Sequence, residues 1–554
     1  MKIMKSLRGL PAVLFLALSG CGPADGPEAP AAGAQAPEAA SEASAPTAPA
    51  DGRPNILLIL ADDLGYTDVG FFGSEIATPN LDALAMEGLR LANFHAASAC
   101  AHSRALLMSG TTTFEAGVRT LDDPMRDDIA SLPERLRAAG YQTFMAGKWN
   151  LGVAPEDGPA ARGFDASFAL IKAGDNHLGS SVFPGNPPVY EGHYTYLENG
   201  EPAELPDGWF SSRLYTDKLI EYLQVHAREG QPWFGYLALT APHWPMQVPE
   251  DWIDRYAGRY DEGYDALRAS RYQRASELGI FHRNLALEGY AGRAEPWDSL
   301  TAERQAIRSR SMEVYAAMVE NMDMHVGRAI DFLRASGQFE NTLILFASDN
   351  GAAGEDLDFV PRTVPRTDTD SSLANMGRAG SFTANGPGWS EAATAPYRAL
   401  KGSLYAGGTL VPAFIRHGDV AARGGIERTY LTFMDILPTL LESAGLPAPG
   451  TTFEGREVQP VRGRSFWGLV TGQTGDVRNA DDSVPWIMPI RGALVRWPMK
   501  VVADSNPLDE QTRWELFDLE ADPGERRDLS GEYPELTAEL SGLWLEFGRQ
   551  ASAE

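Results

Sequence analysis

The sequence predicts an α/β protein: a large, mostly parallel or mixed central sheet flanked by helices, followed by a smaller C-terminal α+β domain with an antiparallel sheet. Three observations carry this expectation. Apolar runs of strand length alternate with helical patterns, four of those runs end in polar or charged residues, and beyond about residue 470 the chain turns to short strands and a closing helix. A chain of 554 residues is longer than one small core requires, which suits a large domain with an appended unit.

Residues 1–20 read as an export signal, with Lys2, Lys5 and Arg8 ahead of the apolar run "LPAVLFLALSG", which is too short to span a bilayer comfortably. That run ends in "LSGC", Leu18 to Cys21, which resembles a bacterial lipobox. The resemblance implies a membrane anchor through lipid on Cys21. Because Gly22 follows it, and not the aspartate of inner-membrane retention, it also implies an outer-membrane lipoprotein facing the periplasm or the cell surface. The alternative is a cleaved secretory peptide with an incidental cysteine, giving a periplasmic or secreted product. Residues 21–53, rich in Ala, Pro, Glu and Gly, form a disordered tether. Lipid on Cys21 leaves Cys100 as the one other cysteine, so no intramolecular disulfide is expected.

Residues 54–470 hold the α/β body. "NILLILADDLG" gives a buried strand over Ile56–Leu60, with Asp62 and Asp63 just past its end. "TPNLDALAMEG" predicts a helix with Thr78 as cap, Pro79 in the first turn and Gly88 closing it. "SLPERLRAAG" is a helix; "YQTFMAGKWNLG" is a strand running into Lys148, and "PWFGYLALTAPHW" one running into His243. The stripe Tyr315, Met318, Met322, Val326, Ala329 and Leu333 predicts a helix packed on the sheet, not a cofactor box, and it feeds the strand "TLILFASDNG", which ends at Asp349 and Asn350. Two irregular regions, 174–212 and 351–398, are long enough to wall a site. Residues 471–554 supply the short strands "RGALVRWPMKVVAD" and "WELFDL" and a helix from about Glu532.

In open α/β sheets ligands bind beyond the carboxyl ends of the strands, so the four polar strand ends should converge. A formal charge of −28 excludes nucleic acid or an anionic surface as the main partner, and an anionic substrate would need a local pocket of Lys and Arg. Asp62, Asp63, Asp349 and Asn350 are the hard oxygen donors a Ca²⁺ or Mg²⁺ ion requires. Arg104, Lys148 and Lys401 supply positive charge, and Cys100, at the start of the helix "SRALLMSG", is placed as a nucleophile.

These residues bring a resemblance with them. "CAHSRALLMSG", with "NILLILADDLG", "GKWNLG", "APHWP", "SDNG" and "DLEADPGE", is similar in content and order to the sulfatase family, and to bacterial arylsulfatases in particular, from about residue 54 to near the C-terminus. The resemblance implies an alkaline-phosphatase-like fold and hydrolysis of an aryl, alkyl or glycan sulfate monoester. It further implies formylglycine (3-oxoalanine), made from Cys100 by a formylglycine-generating enzyme, whose hydrate attacks sulfur with one hydroxyl and expels sulfate by deprotonation of the other. Ca²⁺, in preference to Mg²⁺, would rest on Asp62, Asp63, Asp349, Asn350 and the modified Cys100. Arg104 would hold the diol, Lys148 and Lys401 the sulfate oxygens, and His243 beside Lys401 would protonate the leaving alkoxide, while Asp349 takes the proton of the attacking hydroxyl.

The chain departs from the family at identifiable positions. His102 stands where the modification motif has Pro or Ala, and Asn150 stands where "GKWHLG" has a histidine that helps break down the sulfated intermediate. A neutral amide cannot accept that proton. Either His102 supplies the lost imidazole, or Asn150 hydrogen-bonds the diol in a slower enzyme. Leu410, where an arginine is common, concerns packing or the outer charge of the site. His177 belongs at the substrate mouth or in a surface loop; His95 and His325 are structural. Two other functions stay open at this point: a phosphonate monoester or phosphodiester hydrolase of the same superfamily, and a catalytically weak relative that binds sulfated glycans or phosphates.

Overall fold

The computed structural model describes residues 52–179, 195–281, 285, 287, 294–356, 369–473, 477–509 and 511–553. The signal, Cys21 and nearly all of the tether lie outside the described residues, as do parts of both irregular regions.

Ten strands make the central sheet. Four carry the site: β1 (Asn55–Ala61), β2 (Gln142–Lys148), β3 (Trp233–Ala238) and β4 (Thr342–Ser348). They lie side by side in the order β4, β1, β3, β2, all parallel. Ala413–Arg416 continues the sheet antiparallel to β4, followed by Leu89–Leu91 and Gly425–Glu427; Ala166–Leu170, Tyr196–Glu198 and Glu201–Pro202 extend it beyond β2. The sheet is therefore mixed, with a parallel centre.

β1 is buried along its whole length because both faces of a parallel strand are covered. Ile56, Leu58 and Leu60 join one hydrophobic cluster, with Leu106, Leu107 and Met108 of the helix after Cys100. Leu57, Ile59 and Ala61 join the other, with the long-helix stripe that includes Met318, Met322 and Val326. Each such leucine contributes roughly 1.5–3 kcal/mol by leaving water, so a charge at Leu58 or Ile59 would break the sandwich. Register then fixes the site. Ala61 pairs with Ser348, so Asp62 and Asp349 leave the sheet together, and Leu60 shares its row with Ala238 and Gly147, which puts Lys148 one residue further along.

The helices follow the local signals with two exceptions. α1 (Pro79–Glu87) begins where expected with Thr78 at its N-cap position, but the side chain makes no capping bond: its hydroxyl donates to Asp82 and accepts from the Gly70 N–H, tying the preceding turn to the helix. Gly88 after it is extended, and a Cβ there would lie 2.4 Å from the Ile415 carbonyl oxygen, so close approach and not helix closure requires glycine. α2 (Cys100–Ser109) is buried throughout and stops at Gly110, at φ +68°. α3 (Leu132–Ala138) has a full capping box between Ser131 and Glu134. α4 (Ala302–Ala335) buries the predicted stripe, which confirms it as core.

The C-terminal unit is a four-stranded antiparallel sheet formed by Val484–Met488, Arg491–Arg496, Met499–Ala503 and Glu515–Asp518. One face packs under α5 (Pro534–Ala553) through Leu540 and Trp544; the other, with Trp486, Val495 and Phe517, joins the core of the main sheet. The two irregular regions are less irregular than expected: the first contains Tyr196–Glu198 and Glu201–Pro202, the second a helix over Pro387–Thr394.

Candidate active site

Side chains alternate in a strand, so Asp62 and Asp63 should point to opposite faces. They do not, because Asp63 adopts φ +66° and turns the chain at the strand end. Both carboxylates meet the first residue of α2: Cys100 Sγ lies 3.3 Å from Asp62 Oδ1 and 3.8 Å from Asp63 Oδ1. Arg104, one helical turn on and so on the same face, donates through Nε and Nη2 to Asp349 Oδ2 at 3.2 and 2.8 Å. Its Nη1 donates to the Lys148 carbonyl and to the Tyr236 hydroxyl.

The other predicted residues close around this pair. Lys148 Nζ lies 2.7 Å from Asp62 Oδ2, and Lys401 Nζ 2.6 Å from Asp63 Oδ1. His243 Nε2 stands 3.5 Å from Asp63 Oδ2, its Nδ1–H donating to the Trp244 carbonyl. Asn350 Nδ2 donates to Asp63 Oδ1 at 2.7 Å, and the Asp63 amide to Asp349 Oδ1 at 3.2 Å. Nine of the eleven candidates thus form one buried cluster.

The exceptions are the two departures from the family pattern. His102 Nε2 donates to the Arg119 carbonyl at 3.2 Å, and Asn150 Nδ2 to the Leu121 carbonyl at 2.8 Å, so both turn to the loop that follows α2. Neither is bonded to Cys100. His177 also departs from expectation: it is neither at a mouth nor on the surface but buried, bonded to Ser211 Oγ at 2.7 Å and donating from Nε2 to the His243 carbonyl at 2.9 Å. It supports His243 from behind. Leu410 is buried against His95, which makes its role packing, and both nitrogens of His95 are bonded, to Thr409 and Asn93.

Burial raises Asp349, with the Asp62 charge adding to it against Arg104 and Lys148, so its carboxyl is pushed up to about 6. Burial acts the same way on Asp63, but Lys401, His243 and Lys148 outweigh it and hold that carboxyl well below the usual range. Burial, Asp349 and Asp62 push the Cys100 thiol far up. Burial also drives His243 down to about 3, with only Asp63 and the Trp244 carbonyl opposing it strongly, so the imidazole is neutral. Lys148 and Lys401 are raised: their carboxylate partners overcome desolvation, and both stay charged.

Ligand atoms of Asp62, Asp63, Cys100 and His243 all lie within 4.8 Å of one another. Beside them the buried Asn350 Oδ1 accepts no hydrogen bond. An orphaned amide oxygen among carboxylates is a donor set that fits a hard cation such as Ca²⁺. Asp349 and Asn350, which the sequence also pointed to, adjoin this group through Asp63, Asp349 accepting from its amide and Asn350 donating to its carboxylate, and His243 stands beside them.

A cavity of about 500 Å³ opens above Cys100, of the size that takes a small ligand. Leu121, Val153, Trp244, Asp122, Lys172 and Glu355 line it together with His243 and Lys401. Trp244 falls within the "APHWP" motif and Glu355 within the second irregular region. No motif pointed to Lys172 or Leu121; only the folded chain brings them to the cavity.

Comparison with known proteins agrees with this geometry. Residues 54–446 match the family model described as Sulfatase. An uncharacterized sulfatase of Schizosaccharomyces pombe is 40% identical over 522 residues, covering 89% of this chain and 93% of that protein. An arylsulfatase of Klebsiella aerogenes is 34% identical over 429 residues, covering 75% of this chain and 91% of that protein. A structure solved in complex with its substrate D-glucosamine-2-N,6-O-disulfate superposes with a TM-score of 0.60 at 20% identity, covering 91% of this chain and 99% of that one.

Proposed function

The chain belongs to the sulfatase family, and on that premise we propose that it hydrolyses an aryl, alkyl or glycan sulfate monoester at Cys100, once a maturation enzyme has oxidised that residue to formylglycine. The observation that carries this is the convergence of Cys100 Sγ with Asp62, Asp63, Lys148, Lys401 and Arg104 in one buried cluster, from which Cys100 and Lys401 reach a cavity. Formylglycine at position 100 would supply a hydroxyl nucleophile as its hydrate, and Asp62, Asp63, Asp349, Asn350 and the modified Cys100 would hold a Ca²⁺ ion that would act as a Lewis acid toward the sulfate.

The protein's own groups explain why modification is needed. A thiol pushed far up by burial and two acids gives almost no thiolate, so Cys100 as encoded is a poor nucleophile here. A neutral hydroxyl at the same place can donate to Asp62 or Asp63. Burial and the Asp62 charge raise the Asp349 carboxyl above that of Asp63, which makes it the readier of the two to take a proton from the attacking hydroxyl. Lys148 and Lys401 stay protonated and offer N–H donors to sulfate oxygens. His243 is neutral with Nδ1–H held by the Trp244 carbonyl; entry of an anionic ester adds negative charge beside it and favours protonation at Nε2, from which the leaving alkoxide takes its proton. The arylsulfatase relative and the neighbour solved with a glucosamine disulfate support aryl and glycan esters as the classes to try first. The "LSGC" segment supports export with a lipid anchor on Cys21.

Peptide mass analysis of residue 100, on protein made together with its maturation machinery, is expected to show the aldehyde, and that protein is expected to cleave an aryl sulfate faster than the matching aryl phosphonate. A thiol in every preparation, with ligand bound but no product, would leave a binding protein. Faster phosphonate cleavage would move the assignment to a phosphonate hydrolase.

A further inference from the structure

We propose that His102 and Asn150 are positioning residues that clamp the loop 119–123 over the cavity, where Leu121 and Asp122 form a fixed wall against the leaving group. The identity of that leaving group rests on the sulfatase reading; the clamp itself does not.

The two side chains come from the two elements that flank the reacting centre. His102 lies on α2, two residues after Cys100, and Asn150 lies two residues after Lys148 at the end of β2. Each gives one hydrogen bond to a backbone carbonyl of the same loop, Arg119 from His102 and Leu121 from Asn150. Within the loop, the Arg119 and Thr120 amides donate to Asp123 Oδ2 at 2.9 and 2.6 Å, which makes a local turn but does not fasten it to the body. Leu121 is 45% exposed yet lines the cavity with Cys100, Trp244 and Val153. An exposed leucine has little burial energy to hold it there, so backbone bonds matter more; the two carbonyl bonds, with Arg119 stacked over the Phe114 ring, tie the loop to its surroundings.

The bonding pattern also argues against a proton-transfer role. A carbonyl only accepts, so His102 carries its proton on Nε2 and holds it in that bond; its bare Nδ1 is buried without a partner, and so is Asn150 Oδ1. Neither residue lines the cavity. Asn150 adopts φ +55°, a region asparagine enters readily, and this conformation accompanies its bond to the loop. With Leu121, Val153 and Trp244 on the walls the cavity suits a flat apolar alcohol, and the Asp122 carboxylate disfavours a second anionic group beside the loop, leaving Lys172 as the cation elsewhere on the lining.

The test uses the mature full-length enzyme, its His102→Ala, Asn150→Ala and Leu121→Ser variants, and two esters, phenyl sulfate and the bulkier methylumbelliferyl sulfate. Loss of the wall is expected to raise KM for the bulkier ester about five- to tenfold, to leave KM for phenyl sulfate within about twofold, and to change kcat by less than about threefold. His102→Ala in the Leu121→Ser background should add nothing further, because both remove the same wall. His102→Gln, whose amide can still donate to Arg119, should recover most of the loss. Hydrogen exchange of peptides covering 119–123 should quicken in His102→Ala and Asn150→Ala, and this readout needs no turnover, so an enzyme that cleaves neither ester would sink the sulfatase reading while still reporting on the clamp. Unchanged exchange, or a tenfold fall in kcat on both esters with KM steady and a displaced pH profile, would overturn the clamp. Leu121→Ser alters an exposed side chain and keeps the KM comparison available should a buried variant fold poorly.

Discussion

Asp62, Asp63 and, a short step along the chain, Asp68 are all buried acids, but they belong to different kinds of cluster. Asp68 and Glu75 close around Arg271: its guanidinium donates to Asp68, to both Glu75 oxygens and to Ser74, while Tyr315 and the Gly65 amide complete Asp68 and Tyr260 completes Glu75. Burial would raise Glu75, but Arg271 outweighs it and brings that carboxyl down to about 2. The three groups fasten the loop after β1, the helix Gly263–Glu277 and α4 to one another. The Asp62–Asp63 cluster is equally buried and also charge-paired, but Asn350 Oδ1 is left without a partner, and Cys100, His243 and Lys401 of the cluster line a cavity. Burial of charge therefore marks both a structural rivet and a candidate site. What separates them is unused ligand capacity facing an opening.

The largest expected contrast between the two is in activity. Cys100→Ala should lower kcat by about 10⁴-fold or more with little change in the unfolding midpoint. Arg271→Ala should do the reverse, costing about 3–5 kcal/mol in denaturant unfolding because the buried Asp68 loses its cation and Glu75 keeps only Arg274, with kcat per folded molecule largely kept. If Arg271→Ala cost activity without stability, the distinction between rivet and site would collapse.

A smaller contrast comes from metal. After chelation, added Ca²⁺ should restore turnover and raise the thermal midpoint, and Asn350→Ala should raise the Ca²⁺ concentration needed by about 10–100-fold, a range typical of lost metal-site groups. A midpoint indifferent to Ca²⁺ in the mature enzyme would show that the orphaned oxygen has another purpose.

The smallest effect concerns a third buried acid. Burial pushes the Asp175 carboxyl up to about 8 from its ordinary 3.8. Between those values the folded chain holds a proton that the unfolded chain has lost, so stability should fall as pH rises through the window, by at most about 1.4 kcal/mol per pH unit from this group. Asp175→Asn removes the titrating group, so the stability gap between variant and parent should widen in the variant's favour from about pH 5 to pH 7 in denaturant melts. A constant gap would show that Asp175 is already ionised in the folded state.

Much of the fold was legible because its signals are local. Continuous apolar runs gave β1 to β4, and the polar residues beyond their ends gave six of the cluster's nine side chains, since parallel strands in register must release their ends together; Cys100, Arg104 and Lys401 came from motif content. Thr78 was misjudged because its hydroxyl had a better partner in Asp82, and His177 because nothing in "GDNHLG" says which face of a buried loop it occupies.

By itself, the sequence determined the α/β layering, the family and the membership of the buried cluster, because hydrophobic period and strand-end chemistry are written residue by residue. Only the tertiary structure decided that Asn150 and His102 serve the loop 119–123 and not Cys100, that Leu121 and Lys172 face the cavity, and that Asp68 sits in a closed rivet while the Asp63 cluster keeps an unpartnered Asn350 oxygen. Those outcomes depend on which distant backbone carbonyl or cation passes within about 3 Å of a side chain, and a hydrogen bond falls off too steeply with distance and angle for linear spacing to specify it.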